Sequence, residues 1–244
     1  MTTRFFSSSP IQGKTALLTG PEAHHLKDVM RIPVDSQVTL FDGSGDEFSC
    51  RVMRIERNQI ELSVIARQQS DRELARPLIV AAAMPKRERM KWMVEKLTEL
   101  GVSRLIPLKT ARSIVTPGTA QRERLQRVVV EASKQCGRNH IMEITPTIKW
   151  DSFLNTIAPT CKRCFGDCQG IPFQQWIRSA TADMRPLSTP LTVAIGPEGG
   201  FTPEEQNLAR KHDWTAVSLG SRTLRIETAA ITWAAACAVT DKDC

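Results

Sequence analysis

The chain has 244 residues, 24% charged and 41% apolar, with 33 Lys and Arg against 26 Asp and Glu and a formal net charge of +7. This length holds one large or two modest domains with a full core, and this composition excludes a disordered or fibrous chain. No apolar run approaches the ~20 residues that span a bilayer. The first residues lack the apolar stretch of a secretion signal, and seven cysteines, an odd number in a chain needing no disulfide staple, suit a reducing compartment. A cytoplasmic protein is expected.

The first sixty-odd residues read as β-rich. Pro21–Arg31 is a short helical segment with Leu26, Val29 and Met30 as its apolar face. Gln37–Phe41, Glu47–Ile55 and Ile60–Ala66 alternate apolar and polar positions, joined by Asp42-Gly-Ser-Gly45 and by Arg57-Asn58. A small barrel with one helix is predicted. Arg67–Arg76 is polar and aperiodic, with Pro77 after it, and marks a domain boundary.

Beyond it strands and helices alternate, the pattern of an α/β layer fold. Leu78–Ala83 reads as a buried strand and Arg89–Leu100 as a helix stopped by Gly101. Arg104–Leu108 is a strand, and Gln121–Cys136 a second helix ended by Gly137. The opposite face of that helix carries Arg122, Arg124, Arg127, Lys134 and, just past its end, Arg138. Residues 84–142 hold 13 basic and 5 acidic side chains, more than the whole net excess of the chain. Such a concentration suits a polyanion such as RNA, and equally a solvated helix face.

Cys161, Cys164 and Cys168 could suggest a zinc site, but no second CxxC or spaced His pair accompanies them. The surrounding residues fit a strand, and no metal is expected. Leu191–Ile195 is a buried strand running into Gly196-Pro-Glu-Gly-Gly200, and Thr202-Pro-Glu-Glu205 is a strong helix start. Ala216–Leu219 is a further strand, followed by Gly220, the loop Ser221–Arg225 and an Ala-rich helix from Glu227 through Val239.

Ligands of open α/β sheets collect at the carboxyl ends of strands, and glycines there let backbone approach a ligand closely. The first glycine loop lacks the Lys-Ser/Thr of a phosphate loop, and no dinucleotide fingerprint is present. By itself it is equally a tight turn before a capped helix. The second loop, with Arg222, Leu224, Arg225 and Glu227 together, exceeds what a turn requires.

Ile195–Glu205 followed by Leu219–Ala229 resembles the bacterial 16S ribosomal RNA uracil(1498)-N(3)-methyltransferases of the SPOUT class. Arg4-Phe-Phe, His24–Arg31 and Phe41-Asp-Gly43 are similar to that family's PUA-like N-terminal domain, and Lys96–Val102, Ile106–Leu108, Arg112-Ser and Glu131–Arg138 match its later motifs. The resemblance implies a PUA-like β-barrel over residues 1–70 and an α/β domain with a C-terminal trefoil knot over residues 74–244. It implies a homodimer that takes S-adenosylmethionine as methyl donor and methylates uridine N3 in 16S ribosomal RNA on the assembled 30S subunit.

For the cofactor, the resemblance implies Ile195, Gly196, Gly199 and Gly200 on one wall. Ser218, Leu219, Gly220, Leu224 and Arg225 form the other. Neutral uracil N3 carries a proton and is a poor nucleophile, so a base and an anion-stabilising cation are needed. Arg225 is the candidate cation, and Glu227 or Glu198 the candidate base; Glu227 could equally complement its helix dipole, with Arg225 as its ion-pair partner. Phosphate contacts are expected from Lys86, Arg87, Arg112 and the basic helix face with Arg124, Lys134 and Arg138. Arg4, His24, His25 and Arg31 would contribute from the PUA-like domain, where either histidine could instead be a core residue. The rival readings are a non-catalytic RNA-binding protein, a SPOUT enzyme for another RNA site and, more remotely, a nucleotide hydrolase.

Overall fold

The computed structural model describes residues 3–70, 72–182 and 189–241. The chain forms two compact units, Met1–Glu73 with Val130–Ile141, and Leu74–Val129 with Met142–Cys244.

The first unit is built on a sheet of β1 (Arg4–Phe6), β2 (Thr15–Thr19), β3 (Gln37–Phe41), β4 (Asp46–Ile55) and β5 (Gln59–Gln69), in the order β1-β3-β4-β5-β2. β1 runs parallel to β3 and the other pairings are antiparallel. The alternation read from the sequence places Phe48, Cys50, Val52, Ile60 and Leu62 inward, against Phe5, Leu18 and Leu26. β5 continues through Gln69 into the stretch read as a linker, because Asp46, Glu47 and Phe48 pair with Gln69, Gln68 and Arg67.

The helical segment differs from its prediction. α1 covers only Gly20–His24, and His25–Val29 forms a wider π turn in which the Met30 N–H donates to the His25 carbonyl at 2.9 Å. The wider turn rotates the following side chains out of register. Leu26 is fully buried as predicted, but Val29 and Met30 are 62% and 47% exposed. Arg31 then leaves the turn with φ of +52°.

The second unit is a parallel sheet with helices. Its strands are β6 (Leu78–Ala83), β7 (Arg104–Lys109), β8 (Glu143–Ile144), β9 (Ile148–Lys149), β10 (Lys162–Pro172), β11 (Leu191–Ile195) and β12 (Thr215–Ser218). The order is β12-β10-β11-β6-β7-β8, with β9 also pairing β7. β6 and β11 are adjacent and buried along their whole length, which explains their uninterrupted apolar sequence. The helices are α2 (Glu88–Glu99), α3 (Thr119–Cys136, of which Val130 onward belongs to the first unit), α4 (Trp150–Thr156), α5 (Phe173–Ala182), α6 (Pro203–Lys211) and α7 (Ile226–Asp241). One core joins Trp150 and Phe153 of α4 to Phe165, Phe201 and Trp214, with the Trp150 and Phe201 ring centroids 4.4 Å apart. The strand suggested around Cys161–Cys168 is β10, and the six cysteines among the described residues are free. Among the described residues no group of three His, Cys, Asp or Glu is placed to hold a metal ion, and no helix is long and apolar enough to cross a membrane.

Candidate active site

Both glycine loops leave the carboxyl edge of the second unit's sheet, one after β11 and one after β12, the two strands that flank β10. The first is held by its own chemistry. The Gly200 N–H donates to the Pro197 carbonyl at 2.7 Å, and Gly200 has φ of +69°, a conformation that glycine takes without strain. A Cβ on Gly196 would lie 3.2 Å from the Phe201 ring, so any larger residue there would have to push the buried phenylalanine aside by a few tenths of an ångström.

α6 begins at once with a capping box. The Glu205 N–H donates to Thr202 Oγ1 at 3.2 Å, and the Thr202 N–H donates to Glu205 Oε2 at 2.9 Å. The other Glu205 oxygen accepts from the Ala111 N–H at 2.7 Å, and its carbonyl accepts from Trp150 Nε1 at 3.0 Å. One glutamate thus ties the loop to the ends of two further elements. In the second loop the Ser218 hydroxyl accepts from the Gly220 N–H at 3.1 Å, and Gly220 takes φ of +126°.

A cavity of about 510 Å³ opens between the two loops, a size that suits a cofactor-sized ligand. Ile195, Gly196, Gly199 and Gly200 line one side, and Leu219, Gly220 and Leu224 the other. Glu198 also lines it. Ser218 and Arg225 do not: Ser218 shapes the loop from behind, and Arg225 is exposed, its carbonyl accepting the Ala229 N–H of α7 at 2.9 Å. Glu227 is likewise absent from the lining. It is buried, with Oε1 3.4 Å from Arg89 Nη1. Wall residues that sequence reasoning missed include residues 166–169, Phe201, Ala229 and Trp233. The first of these stretches enters a bulge: Gly166 and Ile171 both pair with Val217, leaving residues 167–170 out of the ladder. Gly170 marks it, since a Cβ there would meet the Ala216 carbonyl carbon at 2.4 Å.

Arg112, expected at a phosphate, is instead a wall residue whose guanidinium donates to the Gly199 carbonyl. Other cations of the predicted RNA surface are also committed elsewhere, and this corrects the reading of the helix face. Arg138 is 3% exposed and paired with Glu73, and Lys134 donates to Glu22 at 2.9 Å and to Glu131 at 3.1 Å. Arg4 pairs with Glu47 and donates to Asn139 Oδ1 at 2.7 Å. Most of these partners lie far away in sequence, so no local pattern could show them. Lys86, Arg87, Arg124, Arg127 and Arg31 are exposed. His24 is exposed beside Asp28, with Nδ1 and Oδ2 2.7 Å apart, while His25 stands edge-on to Phe5 at 5.9 Å. Burial pushes the Glu47 carboxyl up, but Arg4 and Arg72 outweigh it and hold the group below the usual carboxylate range.

Residues 72–238 match the model of the RNA methyltransferase domain family, and residues 18–65 that of the RNA methyltransferase PUA domain. The chain is 30% identical to ribosomal RNA small subunit methyltransferase E of Bacillus subtilis, over 89% of this chain and 87% of the relative. It is 31% identical to the protein of the same name from Rickettsia conorii, over 90% and 87%. Its structure superposes on ribosomal RNA small subunit methyltransferase E of Neisseria gonorrhoeae bound to S-adenosyl methionine with a TM-score of 0.86, at 27% identity, covering 98% of each chain. With both family domains in order and two glycine loops enclosing a cavity at the sheet's carboxyl edge, the chain belongs to the RNA methyltransferase family of the SPOUT class that includes ribosomal RNA small subunit methyltransferase E.

Proposed function

We propose that this protein transfers a methyl group from S-adenosylmethionine to N3 of a single uridine of 16S ribosomal RNA in the assembled 30S subunit. The observation that carries the reading is the cavity between the glycine loops, in a chain that superposes along nearly its whole length on a relative holding S-adenosyl methionine. The residues present fit that molecule. Leu219 and Leu224 offer apolar surface for an adenine, and the glycine backbone offers N–H and C=O groups to its edge. When bound, S-adenosylmethionine supplies an electrophilic methyl carbon. Glu198 is the general base that accepts the N3 proton, a reading supported by its position on the cavity wall with 47% of its side chain exposed. Arg225, exposed on the second loop, is the cation for the resulting uracil anion. Residues 1–70 act as the PUA-like RNA-binding part and residues 74–244 as the catalytic part. Lys86, Arg87, Arg124 and Arg31 contact phosphates.

The protein works in the cytoplasm as a homodimer. Trp92 of α2 and Val239 of α7 are exposed apolar side chains, 47% and 70% accessible, on two helices that pack together and are open to a second copy.

The test is methyl transfer from labelled S-adenosylmethionine to 30S subunits lacking the modification, with deproteinised RNA in parallel and the nucleoside identified by mass spectrometry. The expected product is 3-methyluridine, formed mainly on the particle. Cofactor binding without transfer to either substrate sinks the RNA assignment. Label at a ribose or at another base sinks the N3 assignment.

A further inference from the structure

The buried glutamate at the start of α7 is linked to the cavity wall through one arginine. Glu227 keeps 5% of its side chain accessible, and the only side-chain hydrogen bond it makes among the described residues is that of Oε1 with Arg89 Nη1; Oε2 is buried without a partner. The same Arg89 nitrogen lies 3.7 Å from Glu198 Oε1. Ala229 and Trp233, one helical turn apart, show which side of α7 faces the cavity. Glu227 precedes Ala229 by two residues, about 200° round the helix, and so faces α2 instead. Glu227 therefore reaches the cavity only through Arg89.

We infer that Arg89 is a positioning residue, fixed from behind by Glu227, which holds the Glu198 side chain at the cavity wall. Burying a carboxylate with one partner and a free oxygen is unfavourable for folding, and a Gln or Leu would fill the site with less strain on the fold. The arrangement makes sense if the buried charge exists to anchor a guanidinium. Arg89 is suited to the task because its guanidinium stays charged and one of its nitrogens, Nη1, faces both carboxylates, at 3.4 and 3.7 Å. It is the second residue of α2, just after Arg87, whose φ of +44° and ψ of −118° bend the chain into the helix from the end of β6. That bend sets Arg89 beside β11, the neighbour of β6 that carries Glu198 on its loop.

The inference rests on the proposed methyl transfer, and the experiment separates the two. Full-length R89M, R89K, E198Q, R89M/E198Q and R89M/E227Q are compared with the wild type for kcat, KM for S-adenosylmethionine and Tm on 30S subunits. R89M is expected to lower kcat about tenfold with KM changed by less than about twofold, the split expected when orientation fails and cofactor binding does not. R89M/E198Q should be no slower than E198Q, since Arg89 acts through Glu198. R89K should recover part of the loss. R89M/E227Q removes the stranded charge, so it should regain Tm without regaining kcat, which keeps the question open to measurement even if R89M folds poorly.

Recovery of kcat in R89M/E227Q would reduce the trio to a fold-stabilising ion pair and overturn the inference. So would multiplying effects of R89M and E198Q, or an R89M enzyme as fast as wild type. Absence of transfer by the wild-type protein would overturn the proposed function, and the inference with it.

Discussion

Cys168 is the one described cysteine that is both exposed and part of the cavity wall, carried there by the bulge in β10. Cys50, Cys164 and Cys237 are protected by burial, and Cys136 and Cys161 are half-buried. The Cys50 thiol is pushed up to about 11, and burial, with Cys237 beside it, raises Cys164 well above the ordinary thiol range. Because the thiolate is the reactive form, a raised value means less reaction at any pH below it. Among the six described cysteines, iodoacetamide at pH 8 should therefore label Cys168 first and leave Cys50 and Cys164 unmodified in the folded protein. Saturating S-adenosylmethionine should slow labelling of Cys168 several-fold, read by peptide mass spectrometry. Equal rates with and without it would mean that the cavity is not where the molecule binds. The same residue shows what sequence reading reaches at this scale. The glycines of both loops announce a close backbone approach, whereas the third wall is hidden, because the bulge is set by the register with β12 and Gly170 shows its purpose only once that strand lies beside it.

At the scale of elements, local chemistry was most legible where an element carries its own start signal. Thr202-Pro-Glu-Glu205 reads as a capping box in sequence and forms one, with both reciprocal hydrogen bonds in place. Thr202→Ala removes the acceptor for the Glu205 N–H and should cost about 1 kcal/mol of stability, measured by denaturant unfolding. It should also weaken S-adenosylmethionine binding, because Glu205 ties the glycine loop to Ala111 and Trp150 as well. Unchanged binding with the full stability loss would show that the cap supports the helix alone. The elements missed are β1, β2, β8, β9, α4 and α5, and most of them are defined by their partners. β1 is three residues long and exists by pairing with β3, while β8 and β9 have two residues each against β7. α4 has seven residues, too few for a helical period to stand out, and is held by its aromatic contacts to Phe201 and Trp214. The π turn after α1 is hidden in the sequence for a related reason: Leu26 satisfies either geometry, and it is the Met30–His25 backbone bond and the exposure of Val29 and Met30 that tell them apart.

For the whole molecule, the net charge of +7 favours attraction to RNA but does not say which cations deliver it. Within the strongly basic segment, Arg89, Lys96, Arg104, Lys134 and Arg138 are each engaged by carboxylates of the chain itself. Lys86, Arg87, Arg124 and Arg127 are exposed and face solvent instead. Two kinds of basic residue should therefore separate in solution. Removing one cation from a phosphate makes the dependence of log K on log salt shallower by close to one. The K86A/R87A variant should bind RNA more weakly, with a slope shallower by about 1 to 2 and unchanged Tm. Arg138→Ala breaks a buried pair and leaves Glu73 behind, so it should cost about 3 kcal/mol of stability while the folded fraction keeps the wild-type slope. Filter binding across a salt series, run beside thermal melts, measures both. A steep slope retained by K86A/R87A but flattened in R138A would move the RNA surface onto the end of α3 and away from the turn that precedes α2.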